Sequence, residues 1–441
     1  MEKNRELPVA IIGAGPVGLA AAAHLTLRKM PFILFETGAS VGANIRSWSH
    51  VRVFSPWKYN IDKAARQLLT DIGWSAPEDE GLPSGKELYE LYFQPLSNLP
   101  ALKANIHLNS KIVAVGRKNT DKMKSQGRED QPFVLRVYQN GKGFTHYEAK
   151  AVIDASGTWN TPNPIGSGGV FAVGEHDHAE RIMYGIPNVL QNDKERYKNK
   201  NIAVIGGGHS AINTIIELDR LKEEFPDTTI HWILRKKNLR EVYGGQEKDA
   251  LEARGALGIK IEQLVNDDRV NFYTPFQINE VREHNGQLTL IGHQNEELQA
   301  LPGIDEIICN TGSRPDFSAL REIRLSVDPA LESSAAIADL IDPNIHSCGT
   351  VRPHGEKELR HDEEGFYIVG SKSYGRAPTF LMATGYEQVR SVVAAIDGDM
   401  EAARKVELEL PETGVCSSDA GSACCSATPN AADKKEAACC S

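Results

Sequence analysis

The chain has 441 residues, 41% of them hydrophobic and 24% charged, with a formal net charge of −10 at pH 7. That length can bury cores for two or more domains, and the acidic balance argues against the clustered Lys and Arg that a nucleic-acid surface needs to replace counterions. No run of about 18 apolar residues is long enough to span a membrane, and MEKNRELPVAIIGAGPVG passes from a charged stub straight into a strand and a glycine turn, with no secretion signal; a cytoplasmic enzyme is the expected class.

Residues 8–36, PVAIIGAGPVGLAAAAHLTLRKMPFILFE, predict a β-branched strand, the turn Gly13-x-Gly15-x-x-Gly18, an alanine-rich helix and a second strand ending at Glu36. Gly13 permits the tight turn, Gly15 lets a pyrophosphate approach the backbone, and Gly18 lets the helix pack closely. The helix N-terminus attracts phosphate, and Glu36 suits ribose hydroxyls, so this turn reads as a site for FAD or NAD.

Further on, KIVAVGRK, FVLRVYQ and HYEAKAVIDASG alternate as short strands around a polar loop, NTDKMKSQGREDQP, expected to be mobile. Such a meander returns the chain to the first sheet. VIDASGTWNTPN (152–163) and EIICNTGSRPD (306–316) are apolar strands that break at a small residue and glycine, and they are the expected crossings between domains.

The dinucleotide pattern returns at 201–235, NIAVIGGGHSAINTIIELDRLKEEFPDTTIHWILR, with Gly206, Gly208, Ser210 and Ala211 in a GxGxxA turn. Here the second strand runs into Arg235, Lys236 and Lys237 instead of an acid. A cationic cluster suits the 2′-phosphate of NADPH, although a solvated strand end reads the same way. Two turns nearly two hundred residues apart predict an α/β fold with two Rossmann-like dinucleotide-binding domains, FAD and NADPH, the second inserted in the first. The expected limits are 1–165 and 335–410 for the first, 166–334 for the second, and 411–441 for a flexible Cys-rich tail.

GAGPVG with Glu36, ASG at 155–157, GGGHSA with Arg235, and TGSRPD at 311–316 together resemble the two-dinucleotide-binding flavoproteins, and within them the flavin-dependent monooxygenases, over residues 8 to about 400. The resemblance implies FAD on the first turn and NADPH on the second. It sets Gly157, Gly312 and Gly370 beside the cofactors and starts a flavin-facing helix near Thr379. It also brings GASVGANIRSWSHVRVFSPWKYNID to the flavin ring, with Arg46 and Trp48 against the cofactor and Asn60 as a polar group beside the reacting oxygen. Core packing of Trp48 and Trp57 and a turn role for Asn60 remain open. Two features depart from the family pattern. The globular body has no Cys-x-x-Cys, so the dithiol relay of thioredoxin-reductase-like relatives is missing. The FxGxxxHxxx(W/D) fingerprint of Baeyer–Villiger and flavin-containing monooxygenases is also absent, VFAVGEHDHAERIM keeping Gly174 and His178 in another spacing.

Of seven cysteines, Cys309 sits in an apolar strand as a small buried hydrophobe. Cys348 lies in NIHSCGTVRPHGEKELRHDEEGFY with His346, His354 and His361, whose spacings fit no standard zinc pattern. A thiol there is a candidate for meeting substrate beside the flavin. The other five, Cys416, Cys424, Cys425, Cys439 and Cys440, crowd a small, polar C-terminal stretch. Vicinal thiols select soft ions such as copper(I), zinc or a trivalent metalloid. With the flavin turns they give the chain a resemblance to bacterial oxidases of trivalent arsenicals or antimonite. The expectation is therefore an FAD- and NADPH-dependent monooxygenase of a trivalent metalloid, with O2 as co-substrate. Alternatives are an N-hydroxylase or S-oxygenase of a small organic molecule, with an incidental tail, and a metalloid-binding redox sensor. No nucleic acid or membrane partner is expected. A homodimer is compatible with the sequence, which does not fix the oligomer.

Overall fold

A computed structural model describes residues 6–249, 251–345, 351–378 and 380–408. The chain enters through β1 (Val9–Ile12), turns at the glycines and runs into α1 (Pro16–Leu27). Pro16 at the first helical turn loses no hydrogen bond there. Ala20, Ala21, Ala22 and Ala23 are all fully buried, so α1 is enclosed on every side and its small residues allow that closeness. Strands β2 (Phe32–Phe35) and β3 (Ile106–His107) follow, then an antiparallel meander of β4 (Ser110–Arg117), β5 (Phe133–Gln139) and β6 (Gly143–Ala149), before β7 (Ala151–Asp154) returns beside β1 with Ile153 opposite Ile11.

The second unit opens with the strands β8 (Ile182–Tyr184) and β9 (Asn201–Ile205), the helix α2 (His209–Glu224), and the strands β10 (Thr229–Ile233) and β11 (Asn271–Tyr273). A second meander, β12 (Phe276–His284), β13 (Gln287–Gln294) and β14 (Glu297–Ile304), precedes β15 (Glu306–Cys309), which lies between β9 and β8. The chain then closes the first sheet with β16 (Phe366–Ile368) and packs α3 (Met382–Ile396) against α1. The strand orders are β16-β7-β1-β2-β3 and β11-β10-β9-β15-β8. Every neighbouring pair in both sheets is parallel, which accounts for the continuous apolar runs of VAII and NIAVI. Among the described residues, no helix is long and apolar enough to cross a membrane.

Three expectations change. The loop 119–132 is pinned by Arg128, which is 2% exposed and donates to Glu363 Oε2 at 2.7 Å. Arg117 reaches the other carboxylate oxygen at 2.7 Å while stacking on Phe133 at 3.7 Å. Burial alone would raise the Glu363 carboxyl, but its two arginine partners outweigh it and hold the group below the usual carboxylate range. The second meander was not anticipated, although Asn285 and Gly286, both at left-handed φ between two alternating runs, form a hairpin signal. The return to the first domain also comes earlier than residue 334, because Leu320 and Ile323 are buried with Phe35, Phe133 and Phe366 of the first unit.

Candidate functional site

The C-terminal ends of β1, β2 and β7 open on a cavity of about 430 Å³. Gly13 turns the chain at φ +96°, and a Cβ there would meet the Ala155 carbonyl oxygen at 2.9 Å, so only glycine fits. Gly15 caps α1 without any side-chain hydrogen bond and faces open space in the cavity wall. The first amides of α1 are therefore presented to a ligand. Gly18 packs on the Gly13 carbonyl. Glu36 ties the turn together, accepting the Ala14 amide at 2.8 Å and the Gly38 amide at 2.7 Å. Its carboxylate lines the same cavity, and each oxygen keeps a lone pair for a ribose hydroxyl.

Gly157 and Gly370 also line the cavity, as do Trp48 and Trp159, whose ring centroids are 6.3 Å apart. Trp57 is 5% exposed in the core and takes no part. Thr158, Trp159, Asn160, Ser371, Phe380 and Met382 are among the other lining residues and were not singled out from sequence. Trp159 stands two residues beyond the ASG break, where a strand ends, and that was its one signal. Behind Ser156, the Lys372 ammonium donates to Asp154 Oδ2 at 2.7 Å and to Ser156 Oγ at 3.2 Å.

Three expected site residues are placed elsewhere. Asn60 is fully buried, its amide donating to the Ser55 and Pro56 carbonyls and its oxygen accepting the Ser55 hydroxyl. It caps a turn and is absent from the cavity wall. Arg46 is exposed, bonded to Ser40 and stacked over Tyr89 at 4.9 Å, because its short helix turns it outward. Gly312 packs against Asn163 between the two crossing segments, away from the cavity. The helix expected near Thr379 is α3, which starts at Met382; Thr379 lies outside the described residues, as do Cys348 and the tail cysteines Cys416, Cys424, Cys425, Cys439 and Cys440. Among the described residues no cluster of His, Cys, Asp or Glu is arranged to hold a metal ion. Cys309 is buried and its thiol is pushed up to about 11, chiefly by desolvation.

The second turn repeats the first. Gly206 sits at φ +134°, a Cβ there would lie 2.2 Å from the Asn310 carbonyl oxygen, and Gly208 caps α2 without a side-chain bond and with open space beside it. Ala211 is buried under the helix, and Ser210 is half-buried in its first turn. Past β10, Arg235 is exposed and donates to the Ser167 carbonyl at 2.9 Å, while Lys236 lies 3.9 Å from Glu241. The next residue after Gly208, His209, meets Phe54 of the first unit with ring centroids 5.2 Å apart. The crossing segments pair with each other, Arg314 donating its amide to Thr161 and Asn163 to Gly312. A dinucleotide fits each turn, since both offer an uncapped helix start behind a glycine that no other residue can replace.

Residues 10–336 match the family described as pyridine nucleotide-disulphide oxidoreductase. A relative named ferredoxin–NADP reductase 2, from Exiguobacterium sibiricum, is 24% identical over 417 residues, covering 93% of this chain and 97% of that protein. Among solved structures, the bacillithiol disulfide reductase of Bacillus cereus superposes with a TM-score of 0.64 at 18% identity, over 90% of this chain and 99% of that one. The ornithine N-hydroxylase of Kutzneria sp. 744 does so with a TM-score of 0.56 at 15% identity, over 90% and 100%.

Proposed function

The chain belongs to the pyridine nucleotide-disulphide oxidoreductase family, with FAD and NAD(P)H as its cofactors, and from that premise we propose that it is an NADPH-dependent flavin monooxygenase acting on a trivalent metalloid such as arsenite, methylarsenite or antimonite. The observation that carries the oxygenase reading is the composition of the cavity wall. Among its described residues Glu36 is the one titratable side chain and none is a cysteine. With no Cys-x-x-Cys in the body of the chain either, the dithiol relay of disulfide reductases is missing from the described residues, and the reading sends the electrons to an external acceptor. Bound FAD supplies the two-electron exchange between nicotinamide and oxygen. The overall balance is NADPH, a proton, O2 and substrate to NADP+, water and a substrate carrying one more oxygen on its lone pair.

The chain's own contribution is binding and exclusion. Gly13, Gly15 and the start of α1 hold the FAD phosphates and Glu36 the ribose. Trp48 and Trp159 supply aromatic surface to the cavity wall. Gly206, Gly208 and α2 hold the pyridine nucleotide, and Arg235 favours NADPH over NADH. The metalloid reading rests on the five clustered cysteines beyond residue 411. Cys348 is the proposed thiol at which substrate meets the flavin, and the assembly is proposed as a homodimer.

The second reading, N-hydroxylation of a small amine, is favoured by the fold likeness to an ornithine N-hydroxylase. The test is NADPH oxidation and product analysis under air with arsenite, methylarsenite, antimonite, ornithine, lysine and thioethers. A pentavalent product with NADPH consumed one for one supports the first reading. Stimulation by an amine or thioether alone replaces it. Tight metalloid binding without turnover makes the protein a sensor.

A further inference from the structure

The turn at Gly166–Gly169 gathers three arginines; the one carboxylate on its loop, buried Glu175, is taken up by the Ile165 and Ala172 amides at 3.0 and 2.7 Å and by the Tyr184 hydroxyl, and pairs with none of them. Arg235, from the end of β10, donates to the Ser167 carbonyl at 2.9 Å. Arg314, from the returning crossing segment, donates to the Gly169 carbonyl at 3.0 Å and to Asn163 Oδ1 at 2.8 Å. Arg376 comes from the first unit, six residues beyond the cavity-lining Gly370. Its side chain makes no hydrogen bond, ion pair or ring contact among the described residues, and it is exposed. The Nη2 atoms of Arg314 and Arg376 each lie 3.8 Å from the position a Cβ on Gly169 would occupy, so they are separated by no more than twice that distance. Ser167 Oγ, in the same turn, is buried without a partner. Glu332 packs its backbone against Gly375 but forms no ion pair with Arg376.

Two guanidinium groups held this close without a carboxylate repel each other, and the arrangement is relieved when an anion sits between them. Guanidinium forks match the oxygens of phosphate-type groups two at a time. We infer that Arg314 and Arg376, with Arg235 at the edge, form an oxyanion site that spans the two dinucleotide-binding units and takes a phosphate-type dianion. This rests on reading the second turn as the NAD(P)H turn. Because Arg376 belongs to the FAD-binding unit and Arg314 follows β15, an anion bound there ties the units together in the arrangement seen here. The phosphate can belong to the nucleotide or be a free oxyanion of the same shape.

The test is calorimetric titration of the FAD-loaded protein, at fixed ionic strength and without oxidisable substrate, with NADP+, NAD+ and inorganic phosphate in turn. Arg376→Gln is compared with wild type and with Arg321→Gln, an exposed arginine outside the cluster; the flavin absorbance ratio verifies that each variant is folded. We expect Arg376→Gln to weaken at least one of the three ligands about tenfold and Arg321→Gln to weaken none. Loss for NADP+ alone assigns the site to the 2′-phosphate, equal loss for NADP+ and NAD+ to the pyrophosphate, and loss for inorganic phosphate alone to a free oxyanion. Three affinities unchanged within about twofold in Arg376→Gln overturn the site. Turnover is not measured, so failure here is distinct from failure of the monooxygenase reading.

Discussion

Lys372 Nζ lies 2.7 Å from Asp154 Oδ2, with the two side chains 4% and 2% exposed. Asp154 ends β7 and also accepts the Ser156 amide at 3.0 Å, so this ion pair braces the wall of the cavity at the first glycine turn from behind. Removing one partner leaves a buried charge without compensation, which costs about 3–5 kcal/mol, whereas removing both removes the penalty. Lys372→Met and Asp154→Asn are each expected to lower the unfolding free energy by about that amount, and the double variant to lose less than the sum of the two. Urea unfolding of the three variants measures this coupling, and additive losses would show that the pair is not a unit.

The two glycine turns are separable. Gly13→Ala forces a Cβ into the Ala155 carbonyl at a φ of +96°, and Gly206→Ala forces one into the Asn310 carbonyl at +134°. The first is expected to yield colourless protein. The second retains flavin at the wild-type ratio but slows anaerobic flavin reduction by NADPH about a hundredfold. Flavin absorbance and stopped-flow reduction read the two effects independently, and a yellow Gly13→Ala protein would mean that the first turn does not hold the FAD.

Burial pushes the His361 imidazole down to about 4. Its Nδ1 accepts the Ser326 amide at 3.1 Å, so Nε2 carries the proton, buried and without a partner. Asp154 and Asp362 favour the charged form but do not offset desolvation. The folded pKa is depressed below the unfolded value of about 6.5, so between those values the unfolded chain binds more protons. Stability from this group is complete above pH 6.5 and falls as pH drops through the window, by about 2 kcal/mol between pH 7 and 5. Burial lowers His354 in the same direction. Urea midpoints across that range are expected to fall towards acid, with a shallower slope in His361→Gln. An unchanged slope in the variant would place the proton uptake on other groups.

What could be read from sequence followed the range of the interactions concerned. Each glycine turn is local, since one residue's φ and the neighbouring carbonyl decide it, and both stand where GAGPVG and GGGHSA predicted them. Asn60 and Arg46 misled because their type suits a cofactor site, while their direction is set by the Ser55–Pro56 turn and by a five-residue helix that sends Arg46 outward to Tyr89. The loop around Arg128 reads as mobile from its polar composition, and it is pinned by partners about two hundred residues away, Glu363 on Arg128 and Glu322 and Arg324 on Lys122. The Arg314–Arg376 pair was equally invisible, because it joins segments that meet only when the second unit is folded back on the first.

The last prediction concerns the cysteines that the described fold does not contain. The fold is anchored through residue 407, whose amide donates to Glu387 Oε1 at 3.2 Å, while Arg390 holds the Ala402 carbonyl at 2.7 Å. Everything that lines the cavity comes at or before Met382. On α3, Glu387 is five residues from Met382, an axial distance of about 7.5 Å, so residue 407 is held one to two helical turns from the cavity wall. Truncation after Pro411 removes Cys416, Cys424, Cys425, Cys439 and Cys440 and none of these contacts. We expect it to retain FAD content and maximal rate while raising the metalloid concentration for half-maximal NADPH oxidation, because capture by soft thiolates is lost and the oxidising site is not. Cys348→Ser in the full-length chain is expected to lower the maximal rate itself. Steady-state kinetics with methylarsenite on both variants separate capture from chemistry. A truncated protein with unchanged kinetics would make the tail cysteines incidental, and one that loses FAD would make residues beyond 411 part of the flavin-binding fold.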